Sequence, residues 1–323
     1  METAIVTGGA GFIGSHLCSR LLDMGYRVIA IDTLITSSGK NIDHLKENDN
    51  FQFIHQDVTL PLAQDLKADY VFHLASPASP NHHSEISYHK LAMETMMVNT
   101  LGTHQLLDFA LRNRAKFLFA STSEVYGDPL QHPQKESYNG NVSPTGPRSV
   151  YDESKRFGET LVAYYVREKN VDARIIRIFN TYGPGMNMKD LRMLIVFILQ
   201  ALKGQPITIF GDGKQTRSLC YVADTVEGMI KLMFSSNTKG EIVNIGSPEE
   251  HTVLEYANMI KDLVNADVKI EFSEALPQND PLRRQPDITK ARQLLNWEPK
   301  ISLQDGMKKT IDYFKSELLP EIK

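Results

Sequence analysis

The chain has 323 residues, 41% hydrophobic and 23% charged, with a formal net charge of −4 at pH 7. That length is enough for one large domain or two modest ones with a real core, and the charge balance leaves no basic footprint, so no nucleic-acid partner is expected. Cys18 and Cys220 are its only cysteines, which argues against a disulfide framework or thiolate metal site and fits a reducing compartment.

Short, continuous apolar runs at Ala4–Thr7, Arg27–Asp32, Phe51–Gln56, Tyr70–Leu74, Lys116–Ala120 and Ala173–Phe179 predict strands buried on both faces. Amphipathic patterns at Phe12–Met24, Thr95–Arg112 and Tyr151–Glu168 predict helices between them. This alternation predicts an α/β fold, a Rossmann-type doubly wound parallel sheet. After about residue 180 prolines (Pro184, Pro206, Pro248, Pro277, Pro281, Pro286, Pro299) punctuate shorter elements. Helices are expected at Arg192–Lys203, Ala223–Phe234, Thr252–Val264, Ile288–Asn296 and Leu303–Leu318. The division expected is 1–180 for a cofactor domain and 181–323 for a smaller α/β substrate lobe, with a strand near 241–245 returning to the large sheet. No apolar run reaches membrane-spanning length, and a strand begins at Thr3, so a cytoplasmic chain without membrane partner or secretory leader is expected.

Gly8-x-x-Gly11-x-x-Gly14 lies between the first strand and first helix. Gly8 allows a tight turn, Gly11 lets the backbone approach a pyrophosphate, and Gly14 lets helix pack on strand. The helix start at Phe12 and Ile13 then turns free N–H groups toward phosphates. Asp32 ends the second strand, where a carboxylate accepts from a ribose diol and repels a 2′-phosphate. NAD is therefore the expected cofactor. Asp57 and Val58 follow the third strand and are placed to meet the adenine.

Tyr151 and Lys155 are four residues apart on one face of a helix. An ammonium beside the phenol, with NAD's positive ring nearby, should lower the tyrosine's pKa, so that a phenolate removes a hydroxyl proton while hydride leaves the same carbon. Ser121-Thr122-Ser123-Glu124 follows the carboxyl end of a predicted parallel strand, where ligands bind in such sheets. Thr122 and Ser123 are suited to hold substrate oxygens, and Glu124 to act as base or polar anchor. Arg217 and the arginines of Asp280–Asp287 are candidate diphosphate clamps. His82, His83 and His89 have no carboxylate or cysteine at ligand spacing, so a polar loop, and no metal, is expected.

On these residues the chain resembles the extended short-chain dehydrogenase/reductase family over essentially its whole length. The UDP-glucuronate decarboxylases are the nearest group within it. The resemblance is carried by Gly8–Gly14, His73–Pro80, Ala120–Pro129, Tyr151–Lys155, Arg177–Pro184, Gln215–Ser218 and Asp280–Asp287. Related sugar 4,6-dehydratases usually carry Asp-Glu where this chain has Ser123-Glu124.

The resemblance implies that Tyr151, helped by Lys155, deprotonates a sugar C4 hydroxyl as hydride passes to NAD. A 4-keto sugar with a C6 carboxylate is a β-keto acid and loses carbon dioxide. Glu124, Ser123 and Thr122 would position the ring, and Arg284 would assist reprotonation at C5. Ser76, Pro77, Asn180, Tyr182, Arg217 and Arg284 are implied on the UDP-sugar side. Leu74, Ala75, Thr181, Asn187 and Arg192 are implied on the cofactor side. The helices Thr95–Arg112 and Tyr151–Glu168 would pair with a second subunit's in a homodimer.

The chain departs from this pattern between Pro80 and Asn99, where its segment is longer, and at Met97, where those enzymes tend to have lysine. A neutral hexose is then the alternative substrate, with a 4,6-dehydratase acting on UDP-GlcNAc or another NDP-hexose, or a 4-epimerase, as outcomes. A redox-sensing binding protein on a degenerate dehydrogenase fold would typically lack the Tyr/Lys pair that this chain keeps.

Overall fold

The computed structural model describes residues 1–273, 275 and 283–318. Pro277 and the first residues of the Asp280–Asp287 motif (Asp280, Pro281 and Leu282) lie outside the described residues.

Six strands form where the apolar runs fall, with helices between most of them: β1 (Thr3–Thr7), β2 (Arg27–Asp32), β3 (Phe51–His55), β4 (Tyr70–His73), β5 (Lys116–Thr122) and β6 (Ala173–Ile178). A seventh, Ile242–Ile245, returns from late in the chain and pairs in parallel with β6, Ile242 opposite Ile175. The sheet order is that strand, then β6, β5, β4, β1, β2 and β3, every pairing parallel. From β1 the chain builds outward to β3, then crosses back to β4. The crevice at the carboxyl ends of β1 and β4 is therefore the topological switch point, where ligands bind in such sheets.

The strands are apolar throughout because both sheet faces are covered. In β1, Ala4 and Val6 enter one core and Ile5 the other. Helices α1 (Phe12–Asp23) and α6 (Val222–Phe234) cover the first face. The second is covered by α3 (Thr103–Asn113) and α4 (Ser149–Lys169). The first core continues without a break into α5 (Met193–Leu202), α7 (Val253–Val264), α8 (Thr289–Leu295) and α9 (Leu303–Leu318).

One predicted element differs. The helix expected at Thr95–Arg112 begins at Ala92 as α2 (Ala92–Met97), widens into a π turn over Val98–Gly102, and resumes as α3. Threonine hydroxyls explain the irregularity. Thr100 Oγ1 donates to the Met96 carbonyl at 2.7 Å and Thr103 Oγ1 to that of Asn99 at 2.7 Å, bonds that compete with the helical ladder. Inside the π turn Asn99 donates to Ser154 Oγ at 3.0 Å, tying the irregular turn to α4 just past Tyr151.

Among the described residues, no helix is long and apolar enough to cross a membrane.

Candidate active site

The crevice at the switch point opens into a cavity of about 1410 Å³, larger than a site for one small ligand. One end is the glycine loop. Gly8 has φ +71°, and a Cβ there would stand 2.8 Å from the Ala75 nitrogen, so only glycine fits the turn. Gly11 is the N-cap of α1 and offers no side-chain cap, which leaves the helix's first N–H groups, at Phe12 and Ile13, for an anion. Asp32 faces the same end, accepting from the backbone N–H of Ala10 at 3.1 Å and of Leu34 at 2.8 Å. Burial pushes its carboxyl above the ordinary range. Asp57, Val58, Leu74 and Ala75 also line the cavity. An uncapped helix start, a cradle a Cβ would fill and a diol acceptor fit a dinucleotide.

The other end carries the tyrosine and lysine of the Tyr-x-x-x-Lys spacing. Tyr151 and Lys155 are both buried and both line the cavity. Lys155 Nζ donates to the Ala120 carbonyl at 2.8 Å and lies 5.8 Å from the Tyr151 ring centroid. Burial pushes Lys155 down to about 7. Among the chain's own groups, burial pushes Tyr151 up to about 12, with a hydrogen bond from Thr122 only partly opposing it.

Thr122 and Ser123 lie at the end of β5 and in the turn that follows, and Thr122 Oγ1 accepts from the Glu124 N–H at 3.2 Å. Glu124 is gripped by two guanidinium groups, Arg148 at 2.5 Å and Arg284 on its other oxygen. Burial alone would raise this carboxyl, but the two cations hold it at about 2. Glu124 is thus held as an anion between the two arginines. Arg284 also donates to the Gly127 carbonyl at 3.0 Å, which fixes it behind Glu124.

The remaining candidates divide by where their polar atoms point. Ser76, Pro77, Asn180 and Arg217 line the cavity. Arg217 lies on a short strand, Thr216–Ser218, and donates to the Thr216 carbonyl at 2.8 Å. Thr181 and Tyr182 form wall, but their hydroxyls turn away: Thr181 donates to the Phe179 carbonyl at 3.0 Å and Tyr182 to that of Leu303 at 3.2 Å. Arg192 donates to the Ala78 carbonyl at 2.6 Å and pairs with Asp190 at 3.0 Å. Asn187 donates to the Thr36 carbonyl at 3.1 Å.

The long segment after Pro80 is laced over the cavity. Ser79 donates to the Asp190 carbonyl at 2.6 Å, Asn81 to that of Leu191 at 2.8 Å, and Ser84 to that of Lys189 at 2.5 Å. Met93 and Met97 add an apolar wall there. Two residues with no place in the sequence motifs join the site. Tyr88 stacks on Tyr151, and Arg148 grips Glu124. Arg148 stands three residues before Tyr151, a spacing that could have flagged it. Tyr88, in an irregular segment, gave no such signal.

A model of the NAD dependent epimerase/dehydratase family matches residues 4–246. The chain belongs to this family. It is 47% identical over 315 residues to a UDP-glucuronic acid decarboxylase 1 of Xenopus tropicalis, covering 97% of this chain and 72% of that one. An epimerase from Methanothermobacter thermautotrophicus superimposes with a TM-score of 0.88 at 29% identity, covering 99% of this chain and 94% of that one. The UDP-glucuronic acid 4-epimerase of Bacillus cereus, solved with UDP-glucuronic acid and NAD, gives 0.85 at 33% identity, covering 98% and 99%. The Rossmann-type fold and the NAD cofactor read from the glycine loop and Asp32 agree with this membership.

Proposed function

We propose that this chain decarboxylates UDP-glucuronate to UDP-xylose through a 4-keto intermediate. The observation that carries the reading is the Glu124–Arg148–Arg284 cluster beside Tyr151. It sets guanidinium charge next to the proton-handling phenol, where an anionic C6 substituent needs it. The likeness to the frog decarboxylase over nearly the whole chain supports the same activity.

NAD, when bound, accepts the C4 hydride and returns it within each turnover. Tyr151 takes the C4 hydroxyl proton and gives it back at the end. Lys155, between Tyr151 and the Ala120 carbonyl, supplies or withdraws charge near neutrality. Once C4 is a ketone, the C5–C6 bond breaks, its electrons pass into the enolate and carbon dioxide leaves; C5 then takes a proton. Glu124 and its arginines orient the ring, with Ser123 and Thr122 holding sugar oxygens. Ser76, Pro77, Asn180 and Arg217 belong to the sugar-nucleotide end. Residues 1–180 chiefly hold NAD and 181–323 chiefly the sugar nucleotide.

The exposed side chains of Leu101, Leu111, Phe157 and Tyr164 lie on the two helices expected to pair and support a homodimer through them, readable by light scattering.

The activity is tested by incubating purified protein separately with UDP-glucuronate and UDP-GlcNAc and weighing the products. Loss of carbon dioxide from the first is expected. Loss of water from UDP-GlcNAc with no reaction on UDP-glucuronate would instead establish a 4,6-dehydratase, and a mass-neutral isomer an epimerase.

A further inference from the structure

We propose that His73 is a positioning residue, an imidazole through which the glycine loop is tied to the helix carrying Tyr151. The proposal rests on the decarboxylase reading for the reaction that reads it out, and names a residue that reading does not use.

His73 ends β4 and is fully buried, its ring 5.6 Å from that of Phe119 and 6.4 Å from that of Phe117. A hydroxyl meets each ring nitrogen. Thr7 Oγ1, at the end of β1, is 2.8 Å from Nδ1, and Thr103 Oγ1, at the start of α3, is 3.1 Å from Nε2. These hydroxyls settle where the ring proton sits. Thr103 spends its single hydrogen on the Asn99 carbonyl, so toward His73 it only accepts, and Nε2 carries the proton. Thr7 accepts from the Ala75 N–H at 3.4 Å and gives its own hydrogen to Nδ1. An imidazolium would leave that buried hydroxyl hydrogen without an acceptor. Burial, and then the Lys155 charge, push the ring down to about 3, with the Val98 carbonyl opposing them. The ring is therefore a neutral link with one polarity.

The polar path runs on from Thr103. Asn99 lies in the π turn, and its side chain donates to Ser154 Oγ at 3.0 Å. Ser154 Oγ donates in turn to the Tyr151 carbonyl at 3.0 Å. Thr7, His73, Thr103, Asn99 and Ser154 thus span from the residue before Gly8 to Tyr151 itself. Each is at most 7% exposed, so water does not replace a lost link. The two ends sit on different layers. Gly8, Leu74 and Ala75 line the cofactor end from the sheet, whereas Tyr151 rides on α4, across an apolar core. Lys155 and Glu159 bond α4 to β5. The path through His73 bonds it to β1, the strand that leads into the glycine loop. Apolar packing has no direction, and a hydrogen bond fixes distance and angle. Proton and hydride leave one carbon in this reaction, so phenol and cofactor must keep register to better than about 1 Å.

The test is kinetic, on the NAD-loaded protein. Thr7→Val and Thr103→Val each remove one hydroxyl beside the ring. Each should lower kcat for UDP-glucuronate about ten- to a hundredfold, the scale of a slight misplacement, with KM within about twofold and NAD content unchanged. The two bonds lie in series through one ring, so the double variant should be no slower than the slower single one. His73→Leu should be as slow as the double variant. Nitrogen NMR of histidine-labelled wild-type protein should show the ring, assigned by its contacts to Phe119, with its proton on Nε2 and no titration between about pH 5 and 8. That spectrum stands even if a substitution misfolds. Rate losses that multiply in the double variant, a loss confined to KM or to melting temperature, or a ring that titrates in that range overturns the proposal. Failure of the decarboxylase reading is separate: the wild-type protein would release no carbon dioxide from UDP-glucuronate, and the variants would be compared on the sugar nucleotide it does convert.

Discussion

The ring of Tyr88 lies flat on the ring of Tyr151, centroids 4.9 Å apart and planes 8° from parallel. Tyr88 is buried and lines the cavity, and its hydroxyl has no hydrogen-bond partner among the described residues. The stack braces the ring of the phenol. Tyr88→Ala should cost about 3–5 kcal/mol of stability and lower kcat more than it raises KM, because Tyr151 loses its support. Tyr88→Phe keeps the stack and should unfold at the same denaturant concentration or a slightly higher one. Denaturant melts and steady-state kinetics on the two variants check this; equal stability for Ala and Phe would remove the bracing role.

Tyr151→Phe should reduce turnover of UDP-glucuronate by more than about 10²-fold, the scale of a lost general acid–base. NAD content and melting temperature should be unchanged, since the ring and its stack remain. Near-normal turnover would take Tyr151 out of the chemistry.

Lys155 titrates near 7 in the fold and near 10.5 when unfolded. Between those values the unfolded chain binds the proton more tightly, so the folded protein gains stability from this group as pH rises from 7 toward 10 and loses it as pH falls. Asp152 runs the other way: its folded value of about 8 lies above the ordinary 3.8, so its contribution is full below pH 4 and is lost as pH rises through 8. From pH 8 to 10 the lysine contribution is still growing. Subtracting the stability–pH curve of Lys155→Met from that of the wild type should leave a positive slope in that window. A flat difference would contradict the depressed lysine.

Asp32 is held by two backbone N–H groups at the end of β2, facing the cofactor end of the cavity. A 2′-phosphate beside it costs several kcal/mol, so NADP should bind at least about a hundredfold more weakly than NAD. Asp32→Ala should narrow that gap while weakening NAD itself. Fluorescence titration of both cofactors reads it, and tighter NADP binding by the wild type would overturn the assignment.

Much of this was legible in the chain because the signals are local. A glycine loop has one geometry wherever it occurs, and residues at i and i+4 share a helix face in any fold, so Gly8–Gly14 and Tyr151–Lys155 declared themselves. Strands buried on both faces advertise it by continuous apolar runs, as β1, β2 and β4 do. The π turn at Val98–Gly102 was not legible, because threonine back-bonding competes with the helix only once neighbouring packing holds it. Neither was Tyr88, which reaches Tyr151 by a path no periodicity marks.

The sequence by itself therefore determined the sheet, the cofactor and the placing of Tyr151 and Lys155 on one helix face, since each follows from short-range geometry. Only the tertiary structure decided the protonation of that pair and of its neighbours. Burial raised Tyr151 and Asp152 and lowered Lys155, and two arginines from distant parts of the chain fixed Glu124 as an anion. Desolvation and Coulomb energy depend on what surrounds a group in space, and that is set by contacts between residues as far apart as 124 and 284.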